Sequence, residues 1–169
     1  GYSQSLNEYG YVFTQYDSLG DPVIYFGRRD VPTFNHILTA QYIFNTKMSL
    51  SLRARHYWSR AIYYDFYILD REGTLDPSSY DGDQDLNFNA FTADLQFTWY
   101  FAPGSEMSLM WKNAINTMDH DPVHSYTVNL ENMFASPQSN SFSIRVLYYL
   151  DYLYLKKAFT RRTNKGNAS

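Results

Sequence analysis

The sequence predicts an all-β fold: an antiparallel transmembrane β-barrel, or a portion of a larger one. Three observations carry that expectation. Long runs alternate apolar and polar residues with a period of two, as a pleated strand between two unlike environments requires. The connections between runs alternate short and long, the habit of outer-membrane barrels, whose periplasmic turns are short. Large aromatics gather near the ends of the runs, where an interfacial girdle would sit.

Each element can be justified in chain order. Residues 1–8 are polar and unpatterned. The runs Gly10–Tyr16 and Pro22–Gly27 flank Asp17-Ser18-Leu19-Gly20-Asp21 and predict a hairpin. Arg28-Arg29-Asp30-Val31-Pro32 breaks the pattern. From Phe34 it resumes, with Phe34, His36, Leu38, Ala40, Tyr42 and Phe44 on one face, and Asn45-Thr46-Lys47 forms a short turn. The longest run sets Met48, Leu50, Leu52, Ala54, His56 and Trp58 against Ser49, Ser51, Arg53, Arg55 and Ser59, and one register persists to about Leu69. An acidic loop covers 70–85. Two further runs, 86–101 and 106–116, form a long hairpin about Pro103-Gly104-Ser105. Residues 118–140 read as a long loop, within which 125–134 fits a helix face or a strand. A last strand is expected over 140–155. The count is about seven strands; bacterial single-chain barrels usually have an even number, so an eighth is concealed or the segment belongs to a larger barrel. The barrel segment is expected to span 1–157, with a polar, basic tail over 158–169.

Composition supports strands and leaves few alternatives. With Tyr 17 and Phe 12, aromatics are 19% of 169 residues, which suits strands better than helices. The mean hydropathy of -0.47 is compatible with a membrane barrel, because alternate strand residues are polar. No run of eighteen apolar residues occurs, which excludes a spanning helix. Cysteine is absent, so disulfides, thiolate metal sites and Cys nucleophiles are excluded. A net charge of -3 argues against nucleic acid as a partner. The chain opens at Gly1-Tyr2 without a signal peptide, as expected of a mature or excised piece.

With the short turns placed in the periplasm, the apolar residues Leu50, Leu52, Trp58, Leu95, Phe97, Trp99, Leu109, Trp111, Ile144, Val146 and Tyr148 are expected to face lipid. Arg53, Arg55, Asp94, Gln96, Lys112, Arg145 and Asp151 are expected to face the lumen. The partner is then membrane lipid, with other outer-membrane proteins or the missing part of the same barrel beside it. The competing expectation is a soluble β-barrel or sandwich that binds an apolar or aromatic ligand within. It explains the alternation equally well, but accommodates less well so many large side chains in one small interior.

Candidate chemistry is sparse. Asp81, Asp83 and Asp85 alternate and offer oxygen ligands to a cation, without the full spacing of a calcium loop. His120 and His124, with Asp119 and Asp121, form a second weak metal candidate. The bland reading of both is a solvated loop. His56, beside Trp58 in the apolar register, reads as packing. No nucleophile elbow, zinc-protease helix, phosphate loop or dinucleotide fingerprint occurs, so neither catalysis nor a cofactor is expected.

Several short stretches carry a resemblance: Phe26-Gly27-Arg28-Arg29-Asp30-Val31, Ala40-Gln41-Tyr42-Ile43-Phe44-Asn45, Arg55-His56-Tyr57-Trp58-Ser59, Phe101-Ala102-Pro103-Gly104-Ser105 and Leu147-Tyr148-Tyr149-Leu150-Asp151-Tyr152. Over roughly 9–157 the chain resembles the C-terminal end of an uncharacterised Gram-negative envelope family. Its members look like outer-membrane barrels preceded by a carbohydrate-binding module similar to family 9. The resemblance implies an outer-membrane address and a supporting role in glycan binding or uptake. It carries no functional residue with it.

Overall fold

The structure, a computed structural model, describes residues 1–120 and 125–150. The elements are β1 (Tyr2–Tyr16), β2 (Pro22–Asn45), β3 (Met48–Leu69), β4 (Leu75–Pro77), β5 (Leu86–Ala102), β6 (Ser105–Asp119), α1 (Tyr126–Ala135) and β7 (Ser139–Leu147). All pairings are antiparallel, in the order β1-β2-β3-β5-β6-β7, with β4 attached to β3. The sheet is open, since β1 and β7 are its two edges and do not pair.

The expected count of seven is met by a different set. Of residues 1–8, expected to be patternless, all but Gly1 belong to β1, and β2 runs unbroken through 28–32. Two irregularities flank that stretch, and both extra residues lie in the strands beside it. Against β3 the register shifts between Arg28 and Arg29, where Tyr64 is extra, and against β2 the register of β1 shifts between Ser5 and Glu8. Asn7 there has φ 54, and its N–H donates to Asp30 Oδ1 at 2.8 Å. A bulge of this kind moves following side chains to the opposite face. The seventh strand is the three-residue β4, within the expected loop 70–85.

Turn chemistry sets the hairpins. Asp17 Oδ1 accepts the N–H groups of Leu19 and Asp21 at 2.8 and 2.9 Å, and Gly20 supplies φ 86. Asp70 repeats the device, accepting from Glu72 and Thr74 at 2.9 and 2.7 Å, with Gly73 at φ 87. Positive φ at that point favours glycine, and the aspartate side chain satisfies donors that a tight turn leaves over. Arg71 pairs with Asp21 at 2.7 Å and links the two turns.

Register sorts the side chains into rows that cross five strands. One face carries Ala40, Leu52, Leu95, Trp111 and Phe142, and the next row on that face carries Tyr42, Leu50, Phe97, Leu109 and Ile144. The opposite face carries Thr39, Arg53, Asp94, Lys112 and Ser141, then Gln41, Ser51, Gln96, Met110 and Ser143. In this part of the sheet each face therefore has one character, greasy or polar.

Towards the long-loop end the apolar face is covered. Helix α1 lies on it, and Met133 of the helix and Trp58 and Ile115 of the strands beneath it are each 1% exposed. A second small cluster packs Tyr80, from the 70–85 connection, onto Phe13, Tyr25 and Phe66 at ring distances of 4.9 to 5.7 Å. The remaining apolar face has no cover among the described residues. Phe142, Ile144 and Val146 on β7 are exposed, as are Leu38 and Tyr42 on β2.

Candidate functional site

The most highly organised group of polar side chains lies between α1 and the sheet. Alternation on β5 directs Asn87 and Asn89 to the same face as Phe91 and Ala93, and β3 brings His56 and Trp58 opposite them. From above, α1 lowers Tyr126, Asn129 and Met133. Asn89 and Asn129 exchange amide hydrogen bonds: Asn89 Nδ2 donates to Asn129 Oδ1 at 2.9 Å and Asn129 Nδ2 donates to Asn89 Oδ1 at 2.6 Å. Asn87 Nδ2 also donates to Asn129 Oδ1, at 3.4 Å, and Trp58 Nε1 donates to Asn87 Oδ1 at 2.7 Å.

His56 closes the network. Its Nε2 lies 3.3 Å from Asn89 Oδ1, which can only accept, so Nε2 carries the proton. Its Nδ1, 3.1 Å from the Tyr126 hydroxyl, is then the acceptor for that O–H in the neutral imidazole. The side-chain bonds of this network are neutral to neutral. The Arg60 guanidinium lies 4.8 Å from the centre of the Trp58 ring. Asn113 extends the pattern towards β7, donating to Gln138 at 2.9 Å and to Asn140 at 3.1 Å, and Trp111 Nε1 donates to Asn140 at 2.9 Å. Such an arrangement has no activated nucleophile and no charged acid or base. What it does chemically is hold α1 and the start of β7 in one position.

This network corrects one expectation and extends another. Trp58 was to face lipid; it lies instead beneath α1, with Tyr126 at 5.6 Å and Phe34 at 5.0 Å between ring centres. His56 packs against aromatics as expected, but it is also buried and bonded at both nitrogens. Neither could be read from the strand register alone, because the covering partner comes from 126–135, where helix and strand patterns coincided. The signal present in the sequence was the asparagines of Leu86-Asn87-Phe88-Asn89, which interrupt an otherwise apolar register.

The expected lumen residues form a connected polar surface. Arg53, Asp94 and Lys112 lie side by side on three strands, with Lys112 Nζ 3.7 Å from Asp94 Oδ1. Arg145 Nη2 lies 3.5 Å from Glu106 Oε1. Arg55 is one row away, opposite Thr92, and Gln96 donates to Thr98 at 3.4 Å. Asp151 lies outside the described residues. Among the expected lipid-facing residues, Leu50, Leu52, Leu95, Phe97, Trp99, Leu109, Trp111, Ile144 and Val146 share the apolar face. Tyr148 follows β7 and stacks on Phe101 at 6.1 Å.

The weak metal candidates are otherwise engaged. Asp85 Oδ1 accepts the Tyr63 backbone N–H at 2.7 Å, just where β3 leaves β5, and Asp83 Oδ1 accepts the Asp85 N–H at 2.9 Å. His120 Nδ1 lies 3.0 Å from the Asp85 carbonyl oxygen. Asp81 lies in the same connection, and His124 lies outside the described residues. No cluster of three metal-capable side chains occurs among the described residues.

A second polar assembly was not anticipated. Arg29 stands over Gly10, donates to Glu8 at 3.0 Å and to the Tyr63 hydroxyl at 2.8 Å, while the Tyr63 ring lies across Gly27. On neighbouring positions Arg28 pairs with Asp65, and the Tyr64 hydroxyl donates to Asp30 at 2.7 Å. The two glycines are what allow an arginine and a tyrosine to lie flat on the sheet.

Comparison with known proteins adds a family and nothing finer. No curated protein and no solved structure matches the chain. A family model matches residues 1–159, nearly the whole chain, and the chain belongs to that family, described as a domain of unknown function, DUF5916.

Proposed function

We propose that this sheet is part of the wall of an outer-membrane β-barrel in a Gram-negative envelope. The observation that supports it most is the pair of opposed rows, Leu52–Leu95–Trp111 on one face and Arg53–Asp94–Lys112 on the other. A wall between hydrocarbon and a watery lumen needs that division on neighbouring strands. Strand length agrees. The 22 residues of β3 reach roughly 70 Å at about 3.3 Å each, more than twice a bilayer core. The apolar rows occupy the half nearer the short turns, and α1 with its amides occupies the other half.

The role that follows is structural: a lipid-embedded wall that supports glycan binding or uptake alongside other envelope proteins, with no chemistry of its own. Membrane fractionation of the full-length protein tests the address. It should sediment with outer membranes and require detergent for release. Recovery as a stable monomer in plain buffer would overturn the reading. It would instead favour a soluble sheet whose apolar face binds an apolar or aromatic ligand, a reading that the burial of Trp58 under α1 favours.

A further inference from the structure

We infer that His36 and His56 form an acid-sensitive latch for α1: proton uptake beneath the helix lifts it from the sheet and uncovers Phe34, Trp58 and Ile115. The inference rests on the packing of α1 and not on the membrane reading.

Three observations carry it. First, α1 is held by what lies under it rather than by its own sequence. It has ten residues, its N-cap Ser125 makes no side-chain bond, and neither end carries a charge that complements the helix dipole. Its anchor is Tyr126, whose ring centre lies 5.6 to 6.2 Å from those of Phe34, His36, His56 and Trp58. Second, His56 is 5% exposed, and its bonds suit a neutral imidazole: Nε2 donates to Asn89 and Nδ1 accepts from the Tyr126 hydroxyl. A second proton, on Nδ1, requires that hydroxyl to turn from donor to acceptor and places a cation among neutral amides. Third, another imidazole stands beside the first. The exposed His36 ring lies 6.5 Å from that of His56 between centres and within 19° of parallel, and two imidazolium ions so placed repel.

No acid offsets that charge among the described residues. On β2, Asp30 accepts from Asn7 and Tyr64, and on β3 Asp65 pairs with Arg28. Asp94 of β5 stands on the opposite face beside Lys112, as do Arg53 and Arg55 of β3. Glu131, the acidic residue of α1, is exposed. Arg60, over the Trp58 ring, is a further cation on the same face as His56.

The sign follows from where the proton goes. With α1 docked His56 is neutral; with α1 lifted it is solvated and binds a proton below about pH 6.5. The lifted state then holds more protons in acid, so docking is fully retained above that value and weakens as the pH falls below it.

Hydrogen exchange in the full-length protein, corrected for the intrinsic pH dependence of amide exchange, tests the latch. Protection over 129–135 should fall about tenfold between about pH 7.5 and 5, the factor for one proton over roughly one pH unit, while protection along β5 stays constant. H36D supplies the missing carboxylate at an exposed position and should abolish the fall. H56Q, which takes up no proton, should abolish it too, and the H36D arm stands whether or not H56Q folds. Constant protection of α1 in the unmutated protein, or an undiminished fall in H36D or in folded H56Q, would overturn the inference.

Discussion

Asn129 decides whether α1 stays on the sheet. Its carboxamide oxygen serves both Asn87 and Asn89, and its amide nitrogen serves Asn89 in return. At 1% exposure, water has no ready access to replace it. Truncation to alanine leaves buried donors without an acceptor, each worth about 1–3 kcal/mol. N129A should therefore lower the unfolding free energy from urea titration by an amount in that range and shift Trp58 emission to the red as α1 lifts. Unchanged stability and emission would mean that the amides are solvated in solution. Gly27 offers a second residue-scale test. A Cβ there would stand 2.3 Å from a Tyr63 ring carbon and 3.2 Å from Val12 Cγ2. G27A should cost about 1–3 kcal/mol through overpacking, and Y63A should relieve much of that cost, giving a coupling above about 0.5 kcal/mol in a double-mutant cycle. Alternation placed Trp58 in the apolar register of β3, but no periodicity tells a lipid-covered side chain from a helix-covered one. Gly27 carries its purpose only once Tyr63 is seen lying across it.

Single elements show why some of the fold was legible and some was not. The limits of β3, Met48 to Leu69, are those expected from alternation, and the turns at 45–47 and 103–105 fall where short polar links were expected. Those features are local, set by one run and one turn. At 28–32 β2 itself holds no extra residue; the bulges beside it lie in β1 and in β3, where Tyr64 breaks the single register expected to persist to about Leu69. Helix α1 is the strongest case. It has ten residues, its N-cap Ser125 makes no side-chain capping bond, and its first turn holds no acidic residue. A helix that short is marginal by itself, so it forms because Tyr126, Asn129 and Met133 find the sheet. Sequence pattern was accordingly ambiguous at 125–134. The missing cap is also an opening for stabilisation. Val128 is exposed and stands three residues after Ser125, so V128E would complete a capping box and place a negative charge near the helix N-terminus. V128E should raise stability by about 0.5–1 kcal/mol in thermal or urea unfolding. A loss of stability would show that Val128 contributes packing outweighing the cap.

For the whole molecule, the question is how an open sheet with greasy, exposed edges survives. Six long strands, with β4 a short attachment, is an even set, so the two outer strands β1 and β7 run in opposite directions and either could continue an alternating barrel. Were the apolar band in lipid, the unmet backbone groups along β2 would each cost several kcal/mol. That cost is what makes closure by further strands a physical requirement of the membrane reading. The faces make the most direct test. Leu95 sits mid-row on the apolar face, between Leu52 and Trp111, while its chain neighbour Gln96 sits on the polar face between Ser51 and Met110. Arginine at either position sits on the same strand but meets a different solvent. At a bilayer midplane it costs about 2–4 kcal/mol on the lipid face and far less on the lumen side. L95R should therefore destabilise the full-length protein in lipid vesicles by about that margin relative to Q96R, read as the difference in urea midpoints. In detergent-free buffer a soluble sheet with Leu95 packed inside would also lose stability. The membrane reading is distinguished by depth: L50R and F97R, which share the next row towards the short turns, should each cost less than L95R as the headgroups are approached. Equal penalties at all three positions would place this face in a protein interior.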